Sequence, residues 1–133
     1  MGEATTVVMD FIRACDGRDV AGLARFFTAD CVYHNIPMEP VVGPEAAVAV
    51  LMEFARVSDA WDWEVHHIAE TAAGVVLTER TDRIRDAAGA WHDFPTMGAF
   101  EVRDGRISAW RDYFDLALAM AAMGRAAQAQ AQA

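Results

Sequence analysis

The sequence is poor in cysteine and in long apolar stretches. Its two cysteines, Cys15 and Cys31, give neither the disulfide framework of a small secreted protein nor the ligand spacing of a zinc site. No uninterrupted apolar run approaches the ~20 residues that a membrane span requires, and the start of the chain lacks the basic residues and apolar centre of a signal peptide. We therefore expect a cytoplasmic protein without a membrane partner, in which both cysteines are small buried hydrophobes.

Positive charge is also scarce. The chain has 11 Lys and Arg residues against 20 Asp and Glu residues, which gives a formal net charge of −9. Because an acidic surface repels phosphate groups and no basic run offsets it, we do not expect nucleic acid as a partner. The length of 133 residues, with 54% hydrophobic and 23% charged residues, is typical of one globular domain with a substantial core.

The histidines do not form a metal-binding pattern. His66 and His67 are adjacent on a predicted strand and therefore face opposite ways, and His34 has the opposite parity to its polar neighbours Tyr33 and Asn35. The chain also lacks the Gly-x-Ser-x-Gly motif that presents a nucleophilic serine in many hydrolases. We expect no metal site and no serine nucleophile of that kind.

Hydrophobic periodicity predicts helices first and then a series of hairpins, an order typical of the α+β class. The strongest hairpin signal is Asp104-Gly105 between two alternating runs. We expect one domain over residues 1–124 and a low-complexity Ala/Gln tail over 125–133 that frays. The predicted helices are 6–18, a short one after Asp19, one from Pro44 to about 57 and one after Asp115; the predicted strands are 30–36, 61–70, 75–85, 91–103 and 106–114.

Five polar residues occupy strand positions where a buried sheet face should be apolar. In a strand, residues of the same parity share a face, and Asp112 shares its face with Trp110 and Phe114. Burying an unpaired charge costs several kcal/mol, so such residues persist only when they are paired or used. The five are Tyr33, Asn35, Arg80, Asp82 and Asp112.

Each of these residues also has a simple structural interpretation. A lone tyrosine is usually a core aromatic with a satisfied hydroxyl, and Arg80 and Asp82 could form a surface ion pair. Glu79 and Arg83 already occupy the opposite face of the same strand, however, so Arg80 and Asp82 must lie on its apolar side. An ion pair is not needed for solubility there, and this favours a functional cluster.

Three motifs in this order resemble those of the limonene-1,2-epoxide hydrolases. They are Tyr-x-Asn-x-Pro from Tyr33, Glu-Arg-x-Asp from Glu79 and Trp-Arg-Asp-Tyr-Phe-Asp from Trp110. The resemblance extends from about Val7 to Leu116. It implies a strongly curved mixed β-sheet wrapped by helices around a deep pocket, the cystatin-like or NTF2-like cone shared with ketosteroid isomerase and polyketide cyclases. It also implies a homodimer built through the sheet.

The resemblance implies a reaction and a role for each of the five residues. Water would open cyclic or terpene-like epoxides to vicinal diols, with Asp112 as base and Asp82 as acid. Arg80 would hold both carboxyl groups, while Tyr33 and Asn35 would position the water. Neither a cofactor nor a metal is required, and the expected partners are a small-molecule epoxide and water.

Two functions other than epoxide hydrolysis remain open. An isomerase or cyclase on the same fold would use one Asp as a proton shuttle, and an arginine between two Asp disfavours that reading. A non-catalytic module for apolar ligands would not need five convergent polar groups.

Strand parity and helical periodicity also predict the apolar residues that form the walls of the pocket. The predicted walls are Phe54, Ile84, Phe94, Trp110 and Phe114.

The outer face of the predicted sheet is the expected dimer contact. On the last strand, Ile107, Ala109, Arg111 and Tyr113 share the outward parity, and three of these four are apolar or aromatic. On the strand from Val75, Leu77 faces the same way. A monomer would expose this surface to water, and contiguous exposed apolar surface usually marks a contact site.

Overall fold

The computed structural model describes residues 2–133 and confirms the α+β class. Three α-helices and one 3₁₀ helix accompany six strands, and the two cysteines are buried and unpaired, as expected. No helix within the described residues is long and apolar enough to cross a membrane. The elements are α1 Glu3–Asp16, the 3₁₀ helix Ala21–Phe26, β1 Phe27–Asn35, β2 Val41–Val42, α2 Pro44–Arg56, β3 Ala60–Glu70, β4 Val75–Arg85, β5 Trp91–Arg103, β6 Arg106–Tyr113 and α3 Leu116–Ala131.

The strands form one curved, mixed sheet in the order β2-β1-β6-β5-β4-β3. β1 runs parallel to β6, and every other neighbouring pair is antiparallel. Register shifts occur in the β1–β6, β3–β4 and β5–β6 pairings. Because such irregularities bend a strand and increase its twist, they give the sheet a concave inner face on which the helices pack.

α1 packs on the concave face, chiefly against β3. Its fully buried stripe follows the helical spacing that predicted it, and Phe11 is the centre of an aromatic cluster. The Phe11 ring makes edge contacts with Trp110 at 5.0 Å and with Phe27 at 5.4 Å between ring centroids. At the start of the helix, the Glu70 carboxylate accepts hydrogen bonds from the backbone N–H and the hydroxyl of Thr5.

α2 closes one side of the inner face. Gly43 has φ +93°, a conformation that favours glycine, and Pro44 follows at the first helical position. At the other end, one Arg18 nitrogen donates to the backbone carbonyl of Ala55 in the last turn and to that of Ser58 just beyond the helix. Both ends of this helix are therefore fixed, as positioning of a pocket wall requires.

The C-terminal helix differs from the prediction. α3 extends to Ala131 and Ala126 is fully buried, so most of the predicted Ala/Gln tail, 125–133, belongs to this helix, and its fraying stays a prediction. The large apolar residues of this helix, among them Leu118 and Met120, are mostly exposed. Its buried residues are alanines, whose small side chains let the helix lie close to the sheet. Small side-chain size, rather than hydrophobicity, therefore determines which face of α3 is buried.

The outer face of the sheet also requires a correction. Ile107 was predicted to point outward, but it is fully buried. The register pairs Val102 with Ile107 and Glu101 with Ala109, so β6 contains one extra residue at this point. Such a bulge reverses the parity of the residues before it. The exposed outer stripe, defined here as Leu77, Met97 and Tyr113, lies on β4, β5 and β6 and is 42%, 51% and 49% exposed.

Candidate active site

The predicted polar residues of β1, β4 and β6 lie close together on the concave face. Cross-strand pairing places Asn35 beside Asp112, Asp112 beside Gly98, and Gly98 beside Thr78. Arg80 is the next inward-facing residue of β4 after Thr78, since alternate residues share a face. This geometry requires the Arg80 side chain to cross β5 in order to reach Asp112.

The Arg80 guanidinium bridges two carboxyl groups. Its Nε and Nη2 donate to Oδ1 and Oδ2 of Asp82 at 3.0 and 2.9 Å, and the same Nη2 donates to Oδ2 of Asp112 at 2.9 Å. The side chains of Arg80, Asp82 and Asp112 are 0%, 13% and 6% exposed. One buried positive charge thus faces two acids, so the cluster is neutral when one carboxyl group carries a proton and negative when neither does.

Trp110 lies beneath this cluster. Its indole N–H donates to Oδ1 of Asp112 at 2.7 Å, and its ring stacks on Tyr33 with 4.1 Å between centroids and an interplanar angle of 9°. Trp110 is fully buried and does not line the cavity, so its prediction as a pocket wall is wrong. It shares the inward parity of the walls, but its ring fills the layer between the sheet and α1. Its role is to donate a hydrogen bond to Asp112.

Burial and charge act in opposite directions on Asp112. Burial raises the pKa of Asp112 above its ordinary value, the Arg80 charge lowers it, and the nearby Asp82 raises it again. A carboxylate whose pKa lies closer to the working pH is a better proton acceptor. Asp112 is therefore suited to act as a base.

Tyr33 remains a neutral phenol in this setting. Burial, first, and the negative charge of Asp112, second, raise the pKa of Tyr33 well above its usual value, against the effect of a hydrogen bond with Asn35. Its hydroxyl therefore keeps its proton and can donate a hydrogen bond in the physiological range.

A cavity of about 470 Å³, counted with its mouth, opens directly above the cluster. Four of the five predicted walls line it, and Trp110 is the exception. Tyr33, Asn35, Asp82 and Asp112 all reach the cavity, whereas Arg80 lies behind the two carboxyl groups. The complete lining is Tyr33, Asn35, Leu51, Phe54, Trp63, Asp82, Ile84, Phe94, Thr96, Asp112, Phe114 and Ala119.

Four lining residues were not predicted from the sequence: Leu51, Trp63, Thr96 and Ala119. Thr96 shares strand parity with Phe94, and Leu51 lies close to one helical turn before Phe54, so the same periodicity could have identified both. Trp63 is the cross-strand partner of Asp82, which only the register reveals. Ala119 depends on the unexpected packing of α3 through its alanines.

The arrangement fits acid–base chemistry on a small apolar molecule. Within residues 2–133, no group of three or more His, Cys, Asp or Glu side chains is placed to hold a metal ion. Two carboxyl groups linked by one guanidinium can hold opposite protonation states, so one can accept a proton while the other donates one. Such a coupled pair titrates as a unit.

Comparison with known proteins agrees with the geometry. Residues 2–125 match the family described as limonene-1,2-epoxide hydrolase catalytic domain. The chain is 34% identical over 108 residues to the epoxide hydrolase EphG of Mycobacterium tuberculosis, an alignment that covers 80% of this chain and 69% of that protein.

Solved structures show the same fold. The structure of an LEH-like epoxide hydrolase from M. tuberculosis has a TM-score of 0.76 at 31% identity and covers 96% of this chain and 93% of that one. A hypothetical protein with a ketosteroid isomerase-like fold from Catenulispora acidiphila has a TM-score of 0.75 at 17% identity, over 89% and 92% of the two chains. The second likeness concerns the fold alone.

Proposed function

We propose that this chain, which belongs to the limonene-1,2-epoxide hydrolase family, opens cyclic or terpene-like epoxides to vicinal diols by direct attack of water. The observation that carries the proposal is the pair of carboxyl groups, Asp82 and Asp112, bridged by Arg80 at the floor of an apolar cavity. No covalent enzyme intermediate and no cofactor takes part in the proposed reaction.

Asp112 is the base in this proposal. Its burial favours proton uptake, while Arg80 and Trp110 each donate a hydrogen bond to it and keep the carboxylate in one orientation. Tyr33 and Asn35 line the same cavity and supply groups that can hold a water molecule beside Asp112. As the water oxygen attacks an epoxide carbon, its proton passes to Asp112.

Asp82 is the acid in this proposal. It lines the cavity and has the larger exposed fraction of the two carboxyl groups, so it can reach the epoxide oxygen. Its protonated form donates to that oxygen as the carbon–oxygen bond breaks. The products are one diol, an ionised Asp82 and a protonated Asp112, and a proton transfer from Asp112 to Asp82 restores the starting state.

The cavity walls favour an apolar substrate apart from its epoxide. Phe54 and Phe94 form an edge-to-face pair with 6.2 Å between centroids, and Ile84 and Phe114 complete this part of the wall. The hydroxyl of Thr96 also lies in the wall, but it donates to the Phe94 backbone carbonyl at 2.9 Å. These walls therefore fit a hydrocarbon ring better than a sugar or a charged group.

Hydrolysis of a panel of cyclic, terpene-like and linear epoxides by the purified protein tests this proposal. We expect vicinal diols as the products, unchanged rates after treatment with a chelator, and no turnover by Asp112→Asn. Rearranged carbonyl products in place of diols would indicate an isomerase. Binding of these epoxides without any conversion would indicate a ligand-binding protein.

We also propose that the protein is a homodimer that contacts its second copy through the outer stripe. Leu77, Met97 and Tyr113 are each about half exposed. Met97 and Tyr113 are cross-strand partners and Leu77 lies diagonal to Met97, so the three lie near one another on this face, with Glu79 and Arg111 beside them. Contiguous apolar surface on a soluble protein usually marks a contact site. This face is opposite the cavity, so assembly leaves the mouth of the cavity unaffected.

A further inference from the structure

Gly98 occupies the point where the Arg80 side chain crosses β5. An ideal Cβ at this position would collide with Nη1 of Arg80 and would stand 2.6 Å from Oδ1 of Asp112 and 2.9 Å from Oγ1 of Thr78. These groups are held by hydrogen bonds to one another, so they cannot simply rotate away. The space above Gly98 is therefore filled by the ionic cluster itself.

Thr78 fixes the third nitrogen of the guanidinium. Nη1 of Arg80 donates to Oγ1 of Thr78 at 2.9 Å, and Thr78 is 1% exposed. The roles in this bond are certain because a guanidinium has no acceptor, so the threonine oxygen must accept. Thr78 does not line the cavity, and it can influence the chemistry only through Arg80.

The contact matters because Arg80 could satisfy Asp82 without touching Asp112. Nε and Nη2 already form a bidentate pair with Asp82, and the bond to Asp112 depends on the direction of a single Nη2 N–H. Holding Nη1 at Thr78 fixes the plane of the guanidinium at its opposite side. The plane then directs that N–H across β5 to Asp112.

We propose that Thr78 and Gly98 are positioning residues that keep Arg80 in its bridging orientation, Thr78 by accepting from Nη1 and Gly98 by carrying no side chain at the crossing point. Their role in turnover rests on the proposed epoxide hydrolysis. Their effect on the ionisation of Asp112 is independent of that proposed reaction, because it can be measured in the unliganded protein.

The ionisable groups around Asp112 are few. β4 contributes Arg80 and Asp82, β1 contributes Tyr33, and α1 contributes Cys15. Asp16, the next residue of α1, acts on Asp82 instead. Among the described cavity-lining residues, those of α2, β3, β5 and α3 carry no ionisable side chain. Arg80 is the positive charge of this set, so a change in its orientation is expected to move the titration of Asp112.

The decisive comparison is Thr78→Val with Thr78→Ser. Valine keeps the shape of threonine but cannot accept from Nη1, whereas serine keeps the hydroxyl. We expect Thr78→Val to lower kcat by up to about 100-fold, as small displacements of catalytic groups do. The acidic limb of its pH–rate profile should move to higher pH, because a displaced Arg80 no longer favours the ionised form of Asp112. Thr78→Ser should keep most of the parental kcat, and the acidic limb of its pH–rate profile should stay at the parental pH.

Carboxyl NMR of isotope-labelled aspartate provides a readout that does not require turnover. The Asp112 signal, assigned by its loss in Asp112→Asn, should titrate at higher pH in Thr78→Val than in the parent or in Thr78→Ser. An inactive parent with this shift present would reject the proposed function and keep the positioning role. Equal titration in all three proteins, or equal changes in valine and serine variants, would overturn the positioning role.

Gly98→Ala tests the second half of the proposal, with Gly124→Ala as the matched control. A Cβ at Gly124 meets nothing within 4 Å, and this glycine lies in α3 away from the cluster. We expect Gly98→Ala to lose at least as much activity as Thr78→Val and to move the Asp112 titration in the same direction, while Gly124→Ala changes neither. A folded Gly98→Ala protein with parental titration would contradict the role of Gly98; if that variant does not fold, the Thr78 pair decides.

Discussion

Two groups of buried carboxylates, one at the β4–β5 turn and one on β4 and β6, differ in what surrounds them. Asp86 and His92 form a pair at the β4–β5 turn, 2.7 Å apart and almost fully buried. Asp86 also accepts from the backbone N–H groups of Ala88 and Ala90, at 2.9 and 3.0 Å. In the Arg80 cluster, by contrast, both carboxyl groups reach a cavity, and Asp112 has only side-chain donors.

The two groups also differ in the direction of their pKa changes. The hydrogen bond from His92 lowers the pKa of Asp86, so this carboxylate is held in its ionised form and stabilises the turn. Burial raises the pKa of Asp112, so this carboxylate is ready to take a proton. A buried, hydrogen-bonded carboxylate alone therefore does not indicate catalysis. A buried acid with a raised pKa that faces a cavity is a candidate for a functional site.

The largest expected effect separates these two acids directly. Asp112→Asn removes the proposed base, and general-base catalysis contributes about 10² to 10⁴-fold, so we expect kcat to fall by at least that range. Asp86→Asn is the matched control and should keep kcat while it lowers the melting temperature. Turnover and thermal unfolding of both variants measure this. Comparable losses of kcat in both variants would mean that access to the cavity does not separate a catalytic acid from a structural one.

Asp82→Asn should reduce kcat by a similar factor, because it removes the proposed proton donor for the epoxide oxygen. Since the two carboxyl groups work as one unit, the double variant should be little worse than either single variant. Steady-state kinetics of the three proteins on one epoxide check this expectation. Losses that multiply fully in the double variant would show that the two acids act independently.

A smaller effect is expected from Trp110→Phe, which removes one hydrogen bond from Asp112. That bond lowers the pKa of Asp112, so its loss should raise this pKa further and move the acidic limb of kcat to higher pH. The base is active only when ionised, so the rate loss should be greatest at low pH and smaller at high pH. A uniform loss at every pH would assign Trp110 to packing alone.

The pH dependence of stability should differ in sign for the two acids. Because the folded-state pKa of Asp86 is lowered, its stabilising contribution is present above the ordinary aspartate range and is lost as the pH falls below that range. The raised pKa of Asp112 has the opposite effect on stability: it favours the folded state at low pH, and this contribution is lost as the pH rises. Unfolding of the parent and Asp86→Asn at several pH values should show their difference narrowing under acidic conditions. A constant difference would contradict the assignment.

Changes to the pocket wall should alter selectivity more than chemistry. Phe94→Ala enlarges the cavity, and we expect relative rates on bulky and small epoxides to change roughly tenfold or more. The cost in stability is about 3–5 kcal/mol. Trp91→Ala is the control on the same strand, because Trp91 is exposed and lies outside the cavity lining. Unchanged selectivity in Phe94→Ala would place this ring outside the substrate site.

The smallest effect on turnover is expected from the outer stripe. Met97→Glu places a charge in the proposed dimer contact without approaching the cavity, since Met97 points away from the inner face. Light scattering at micromolar concentration should give about twice 14.5 kDa for the parent and a lower mass for the variant. A parent that is monomeric at that concentration would contradict the dimer.

The fold class and the polar cluster could be predicted because strand parity is a local property. The charges of Glu79 and Arg83 on one face of β4 indicated that Arg80 and Asp82 occupy the other, and the structure agrees. Cross-strand register cannot be obtained in this way. It determines that Gly98 lies between Thr78 and Asp112, which is why neither Thr78 nor Gly98 was predicted.

The wrong predictions have local causes that a periodic pattern does not contain. A single extra residue in β6 reverses the side on which Ile107 lies. In α3, packing distance favours Ala122 and Ala126 over the larger Leu118. Trp110 has the parity of a pocket wall, but stacking on Tyr33 places it beneath the cavity floor.

The central claim is that the Arg80-bridged carboxyl pair activates water for direct attack on the epoxide. A single-turnover reaction in heavy-oxygen water, with enzyme in excess over a cyclic epoxide, tests it most directly. The account predicts that the heavy oxygen appears in the diol during the first turnover and that peptides containing Asp82 and Asp112 remain unlabelled. A diol free of label, with heavy oxygen in one of these carboxyl groups, would show a covalent ester intermediate and contradict the account.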